Sequence, residues 1–299
     1  MSPPPTPFRC ATAARERADP QLGSAPQARR WLLIEHRGPW QIDALAGSGI
    51  AADVLGVLSR TVQAERARPL LIRRPGRADA DAGRAWAVTY EDGASRWGTW
   101  QDDDDLRDAA DALSAPSPGG NPRDRSILLA CTHGVHDVCC ALRGRPVAAA
   151  LAVEWPLETW ECSHVGGDRF AANLVVLPDG VYYGNLDPDS AVETVRSHLR
   201  GEVEVQHLRG MTRVPPPAQV AVAAVHDRFG PLGAGDVELT SLEHTSPGVW
   251  HIVLAVPRAA LERIEVTVSS HGRHPAQLTC RAGSETPAAQ YSVVHFSVD

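Results

Sequence analysis

The chain has 299 residues, 43% hydrophobic and 22% charged, enough apolar material for a packed core and too much for a disordered chain. All 29 cations are arginine, set against 36 Asp and Glu, for a formal charge of −7. A net acidic chain without a basic block is a poor nucleic-acid binder. The longest apolar runs, such as residues 147–153, fall far short of a membrane span. With no secretory apolar region near the N-terminus, the expected compartment is the cytoplasm.

Residues 1–28, with Pro3-Pro4-Pro5, many alanines and no hydrophobic period, are expected to form a disordered head. Residues 29–114 are expected to form a small α/β unit of βαβ type. Trp31–His36 is a short apolar strand closed by Gly38-Pro39. Residues 49–66 carry Ile50, Val54, Leu58 and Val62 at helical spacing, and Pro69–Ile72 is a second strand. Ala85–Tyr90 alternates as a third strand, with Gly98–Trp100 a fourth. The acidic run Asp102–Asp105 suits the start of a helix. Residues 115–125 have linker composition.

Residues 126–212 contain the chemistry. Ser126–Ala130 is a continuous apolar strand, the segment 131–145 is expected as a loop, and Pro146 is expected to open a short Ala-rich helix. Leu157–Cys162 is the next strand. Two further strands flank the Pro178-Asp179-Gly180 turn, and a helix follows with Asp187 as N-cap and Pro188 at its first position. Strand, loop, helix, strand, loop, hairpin, helix is the reduced thioredoxin-like pattern. Residues 215–299 alternate in several stretches and are expected to be a strand-rich α+β unit without chemistry.

Six cysteines need explaining, and a disulfide scaffold does not suit a long intracellular chain. Cys10 is expected to be a bystander, and Cys280 a core thiol in a strand. Cys131, Cys139, Cys140 and Cys162 instead cluster within a short stretch, together with His133, His136 and His164. Loops at the C-terminal ends of adjacent strands lie side by side, and thiolate with imidazole suits iron–sulfur, zinc or copper. The eight residues between Cys131 and Cys140 exceed the usual pair spacing of structural zinc sites. Cys162 and His164, two apart in extended chain, share a face. Gly166 and Gly167 permit a tight turn. His133 and His136 are expected to order the loop around the ligands.

These segments carry a resemblance. The stretch from Trp31 to Trp40, Cys131-Thr-His-Gly through Cys140, and Cys162-Ser-His-Val-Gly-Gly through Asn173 resemble the sucrase/ferredoxin-like family of thioredoxin-fold 2Fe-2S proteins, over about residues 28–212. The resemblance implies a thioredoxin-like ferredoxin, electron transfer as the activity, and redox donor and acceptor proteins as partners. It puts Cys131 and Cys140 at the family's two cysteine positions and His164 at the first of its two histidine positions. Asp168 stands where the second histidine would be. Cys162 offers the better-matched fourth ligand, with Asp168 and Cys139 as contenders. No paired carboxylates form a glycosidase frame. Two other readings compete: a zinc site, and a thiol-redox enzyme, although no Cys-x-x-Cys opens a helix here.

Overall fold

The computed structural model describes residues 7–76, 83–119 and 126–298. The expected head is ordered where it is described: α1 spans Cys10–Glu16 and buries Cys10, Ala11 and Ala14. It has no apolar period of its own because it is too short to show one, and it is held by its neighbours rather than by propensity. Pro3-Pro4-Pro5 lies outside the described residues.

The first βαβ unit forms as its periodicity predicts. In β1, Arg30–Glu35, five consecutive residues are buried. Each of Leu32, Leu33 and Ile34 contributes about 1.5–3 kcal/mol by leaving water. Helix α2, Ala52–Ala64, turns Val54 and Leu58 inward. It returns the chain to β2, Ala67–Arg73, which pairs parallel with β1. Strands β3, Arg84–Thr89, and β4, Ser95–Trp100, add antiparallel on the far side of β1. The acidic run forms a turn in which the Asp105 carboxylate accepts from the Gln101 and Asp102 amides. Helix α3, Leu106–Ser114, follows.

The second βαβ unit is β5, Ile127–Cys131, α4, Val138–Glu154, and β6, Thr159–Cys162, with β5 and β6 parallel. Strand β7, Leu174–Leu177, runs antiparallel to β5 and forms a hairpin with β8, Val181–Tyr183. Helix α5, Pro188–Leu199, is capped by Asp187, whose carboxylate accepts from the Ser190 amide. The order β6-β5-β7-β8 with an antiparallel β7 is the expected thioredoxin-like arrangement. Strand β9, Leu208–Met211, extends it.

The two units are not separate sheets. One nine-stranded sheet runs β4-β3-β1-β2-β6-β5-β7-β8-β9. Its seam is β2 against β6, where Ile72 pairs with Cys162 and Arg73 with Glu161, an ion pair of 2.7 Å. The expected linker therefore connects two halves of one sheet, and its residues 120–125 lie outside the described residues. Helix α6, Pro216–Phe229, then packs against a four-stranded antiparallel sheet of β10, Glu238–Ser246, β11, Val249–Val256, β12, Leu261–Gly272, and β13, Ala289–Val298. Leu151 of α4, Val195 of α5, Val222 of α6, Ile252 and Val266 share one core.

Candidate metal centre

Strand β5 ends at Cys131, in register with Cys162 at the end of β6. Thr132 to Asp137 then form a short turn, and α4 starts at Val138, eight residues before the expected Pro146. The cause is Asp137. Its Oδ1 accepts from the Cys139 amide at 2.8 Å, satisfying a free donor of the first helical turn. Pro146 lies inside the helix, where it removes the donor to the Leu142 carbonyl. Cys139 and Cys140 are therefore helical neighbours rather than loop residues. Gly144 lets α4 lie on the end of β5: a Cβ there would stand 1.9 Å from the Cys131 carbonyl oxygen.

This packing brings ligating atoms of Cys131, Cys140 and His164 within 4.8 Å of one another. A second set, His136, His164 and Asp168, shares His164 with the first. Asp168 joins the two: its Oδ1 is 3.4 Å from Cys140 Sγ and 3.0 Å from His164 Nδ1. That nitrogen lies at an angle that makes no hydrogen bond. His136 stacks on His164 with ring centroids 3.7 Å apart. His133 accepts from the His164 amide at 3.2 Å through Nδ1, while its own Nε2 is buried without a partner. Cys162 is fully buried but does not join the Cys131, Cys140 and His164 set. It packs with Trp31, Ile72 and Tyr182 in the core.

The electrostatics distinguish the thiols. Hydrogen bonding from Cys140 holds the Cys131 thiol well below the ordinary range, and the His164 ring beside it acts in the same direction. Cys140 is pushed up as that donor, and burial pushes Cys162 up. Burial also raises the Asp168 carboxyl and lowers the His133 imidazole. One anionic sulfur is thus favoured at the end of β5, with a second thiol and an imidazole against it.

The glycine turn serves as anticipated. Gly166 and Gly167 have φ of 89° and 77°, conformations that glycine adopts without strain, and a Cβ on Gly167 would meet the Arg209 guanidinium at 2.4 Å. Arg209 of β9 also belongs to this turn's contacts. It is 1% exposed and donates to the Gly166 carbonyl, the Asn173 side chain and Ser24. Burial pushes its guanidinium down to about 10. Its signal in the sequence is a lone Arg inside the short run Leu208–Met211. The turn after β1 roofs the site: Trp40 packs edge-on to His133, and a cavity of about 390 Å³ lies between Ile42, Leu45, Pro69, His133, His136 and His164.

The adjacent thiols part company. Cys140 faces Cys131, whereas Cys139 faces Cys10, Asp137 and Cys280. A vicinal dithiol acting as one redox pair has no footing in this geometry.

A family description, sucrase/ferredoxin-like, matches residues 21–210, more than half of the chain. The chain belongs to the sucrase/ferredoxin-like family. Among solved structures it is similar to one described as a thioredoxin-like 2Fe-2S ferredoxin from Aquifex aeolicus. The match has 21% identity and a TM-score of 0.26, and covers 30% of this chain and 96% of that one. No curated protein matches. Among the described residues, no helix of this sucrase/ferredoxin-like chain is long and apolar enough to cross a membrane.

Proposed function

We propose that this protein is an electron carrier whose cofactor, a 2Fe-2S cluster, is held by Cys131, Cys140 and His164, with Asp168 at the fourth position and Cys162 behind. The observation that carries the reading is the convergence of two buried thiols and an imidazole at the ends of two parallel strands. The donor set fits such a group: sulfur and imidazole are the ligands iron–sulfur centres take. A thiol already favoured as its anion suits ligation, which requires thiolate. Asp168 is favoured as the fourth ligand because it already touches both Cys140 and His164.

Such a cluster takes up and releases one electron at a time. The protein's part is to set its potential and its access. A neutral imidazole in place of a thiolate removes negative charge from the centre and raises the potential. The His164 side chain is 20% exposed, so it forms the watered edge, while Cys131 and Cys140 are sealed. Proton binding at an imidazole ring nitrogen would couple electron uptake to pH. Redox partner proteins would dock over this edge, which Ile42 and Val135, both more than half exposed, flank.

Anaerobically purified protein is expected to be red-brown, with iron and acid-labile sulfide in near-equal amounts and a midpoint potential that falls with pH. His164→Cys should lower the potential by on the order of 100 mV or more and flatten its pH profile. Asp168→Ala should release iron more readily than Cys162→Ser. Colourless protein, with zinc lost on replacing Cys131, would overturn the reading.

A further inference from the structure

We propose that Cys10, Cys139, Cys280 and the Asp137 carboxylate form a second cation site, separate from the first, that takes a thiophilic divalent ion of the zinc class. Their four ligating atoms all lie within 4.8 Å of one another. Cys139 Sγ and Cys280 Sγ are 3.5 Å apart, and Cys10 Sγ is 3.6 Å from each Asp137 oxygen. Donors at about 2.0–2.3 Å from one tetrahedral ion stand roughly 3.5–3.8 Å apart. The group therefore offers four donors of zinc-binding type, with Cys139–Cys280 and Cys10–Asp137 already close to these spacings.

Cys10 is not a bystander: it is the first residue of α1 and fully buried. Cys280 is not in a strand: it sits, half-buried, in a turn of the long connection between β12 and β13. That connection has a single isolated bridge, Ala276 to Thr286. The apolar cluster beneath it contains only Cys10, Ala11, Cys139 and Ala171, with Cys280 against them. Besides this cluster, Arg273 reaches Asp19 and the Arg17 carbonyl, and Arg281 the Val135 carbonyl; so long a connection without structure of its own is uncommon unless it has a task.

The donors are themselves oriented. Asp137 Oδ2 accepts from the Cys280 amide at 2.7 Å, Asp137 Oδ1 accepts from the Cys139 amide, and Cys280 Sγ accepts from the Cys10 amide at 3.3 Å. Amides directed at ligand atoms are the outer contacts that position metal ligands. Cys280, the least buried member, gives the entry path. Binding displaces the three thiol protons to solvent and leaves three thiolates and a carboxylate on the ion, with no change of oxidation state. The ion would tie the head helix, the start of α4 and the tail into one knot.

The test uses the full-length protein, purified anaerobically. About one zinc per chain is expected, retained in Cys131→Ser and lost in Cys10→Ser and Cys280→Ser, whose affinity should fall at least about tenfold. Metal-free wild-type protein titrated with Co²⁺ should develop the intense visible bands of tetrahedral thiolate coordination, and these should persist in metal-free Cys131→Ser protein, in which the first centre is broken. Because Cys131→Ser removes the first centre, zinc is read there whether or not the iron–sulfur proposal holds. Zinc that follows Cys131 instead of Cys280 would overturn the proposal. So would zinc-free protein whose Cys139 and Cys280 have lost two hydrogens to a disulfide, or Co²⁺ bands of octahedral weakness.

Discussion

The large sheet contains two parallel βαβ units, and they differ where the first strand ends. In one, β1 leads through a long turn to α2. His36 at the head of that turn donates from Nε2 to the Ser48 carbonyl at 2.8 Å and simply orders the chain. In the other, β5 delivers Cys131 to a six-residue turn, and α4 begins at once with two more thiols. The scaffold is the same, and only the short turn brings thiols and imidazoles together. The long turn contributes instead as a roof, placing Trp40 and Ile42 over the histidines of its neighbour.

The largest expected difference between the two turns comes from exchanging the corresponding residues for inert ones. Cys131→Ser should abolish visible absorbance and bound iron, whereas His36→Ala should leave both nearly intact. Equal losses would mean that the two turns are not functionally distinct.

The next effect concerns neither unit. His226 on α6 is buried, and burial pushes its imidazole down from 6.5 to about 4. The unfolded chain therefore binds this proton first. Stability is complete above pH 6.5 and is lost as pH falls toward 4, by roughly 2–4 kcal/mol. Acid denaturation followed by tryptophan fluorescence should weaken wild-type protein over this window, and His226→Leu should flatten the dependence. Both βαβ units would be spared directly, since the proton enters the tail.

Two glycines then compare the helices. Gly144→Ala in α4 drives a Cβ into the Cys131 carbonyl and should cost about 1–3 kcal/mol, with accelerated loss of metal. Gly56→Ala in α2 meets only the mobile end of Arg60 at 3.3 Å and should stabilise by about 0.5–1 kcal/mol. Thermal melts of the two variants should move in opposite directions.

The meeting of Cys131, Cys140 and His164 is legible because these residues are local. Cys131, Cys140 and His164 stand within one stretch, and strand ends bring such segments together. The contact of Asp168 with Cys140 and His164 is not legible in the sequence. The alternation that would put Cys162 and His164 on one face requires a strand, and β6 ends at Cys162. The start of α4 is hidden because Pro146 imitates a first helical residue, and Asp137, which reads as the cap of a turn, caps the helix instead. Strands β1 to β3 and helix α5 followed their periodicity and caps. The group around Cys139 was invisible for another reason: Cys10 and Cys280 are 270 residues apart, and nothing in a linear pattern announces so distant a meeting.

Cys139 and Cys140 also constrain how this chain can vary. Neighbouring helical residues point about 100° apart, and this angle sends one sulfur toward the strands and the other toward the chain ends. A residue inserted or deleted between Cys131 and Val138 would swing both thiols together, emptying each group of a member at a stroke. Substitutions can retire either group alone, but a change of turn length cannot, so that length is the feature a lineage keeping only one of them must still preserve.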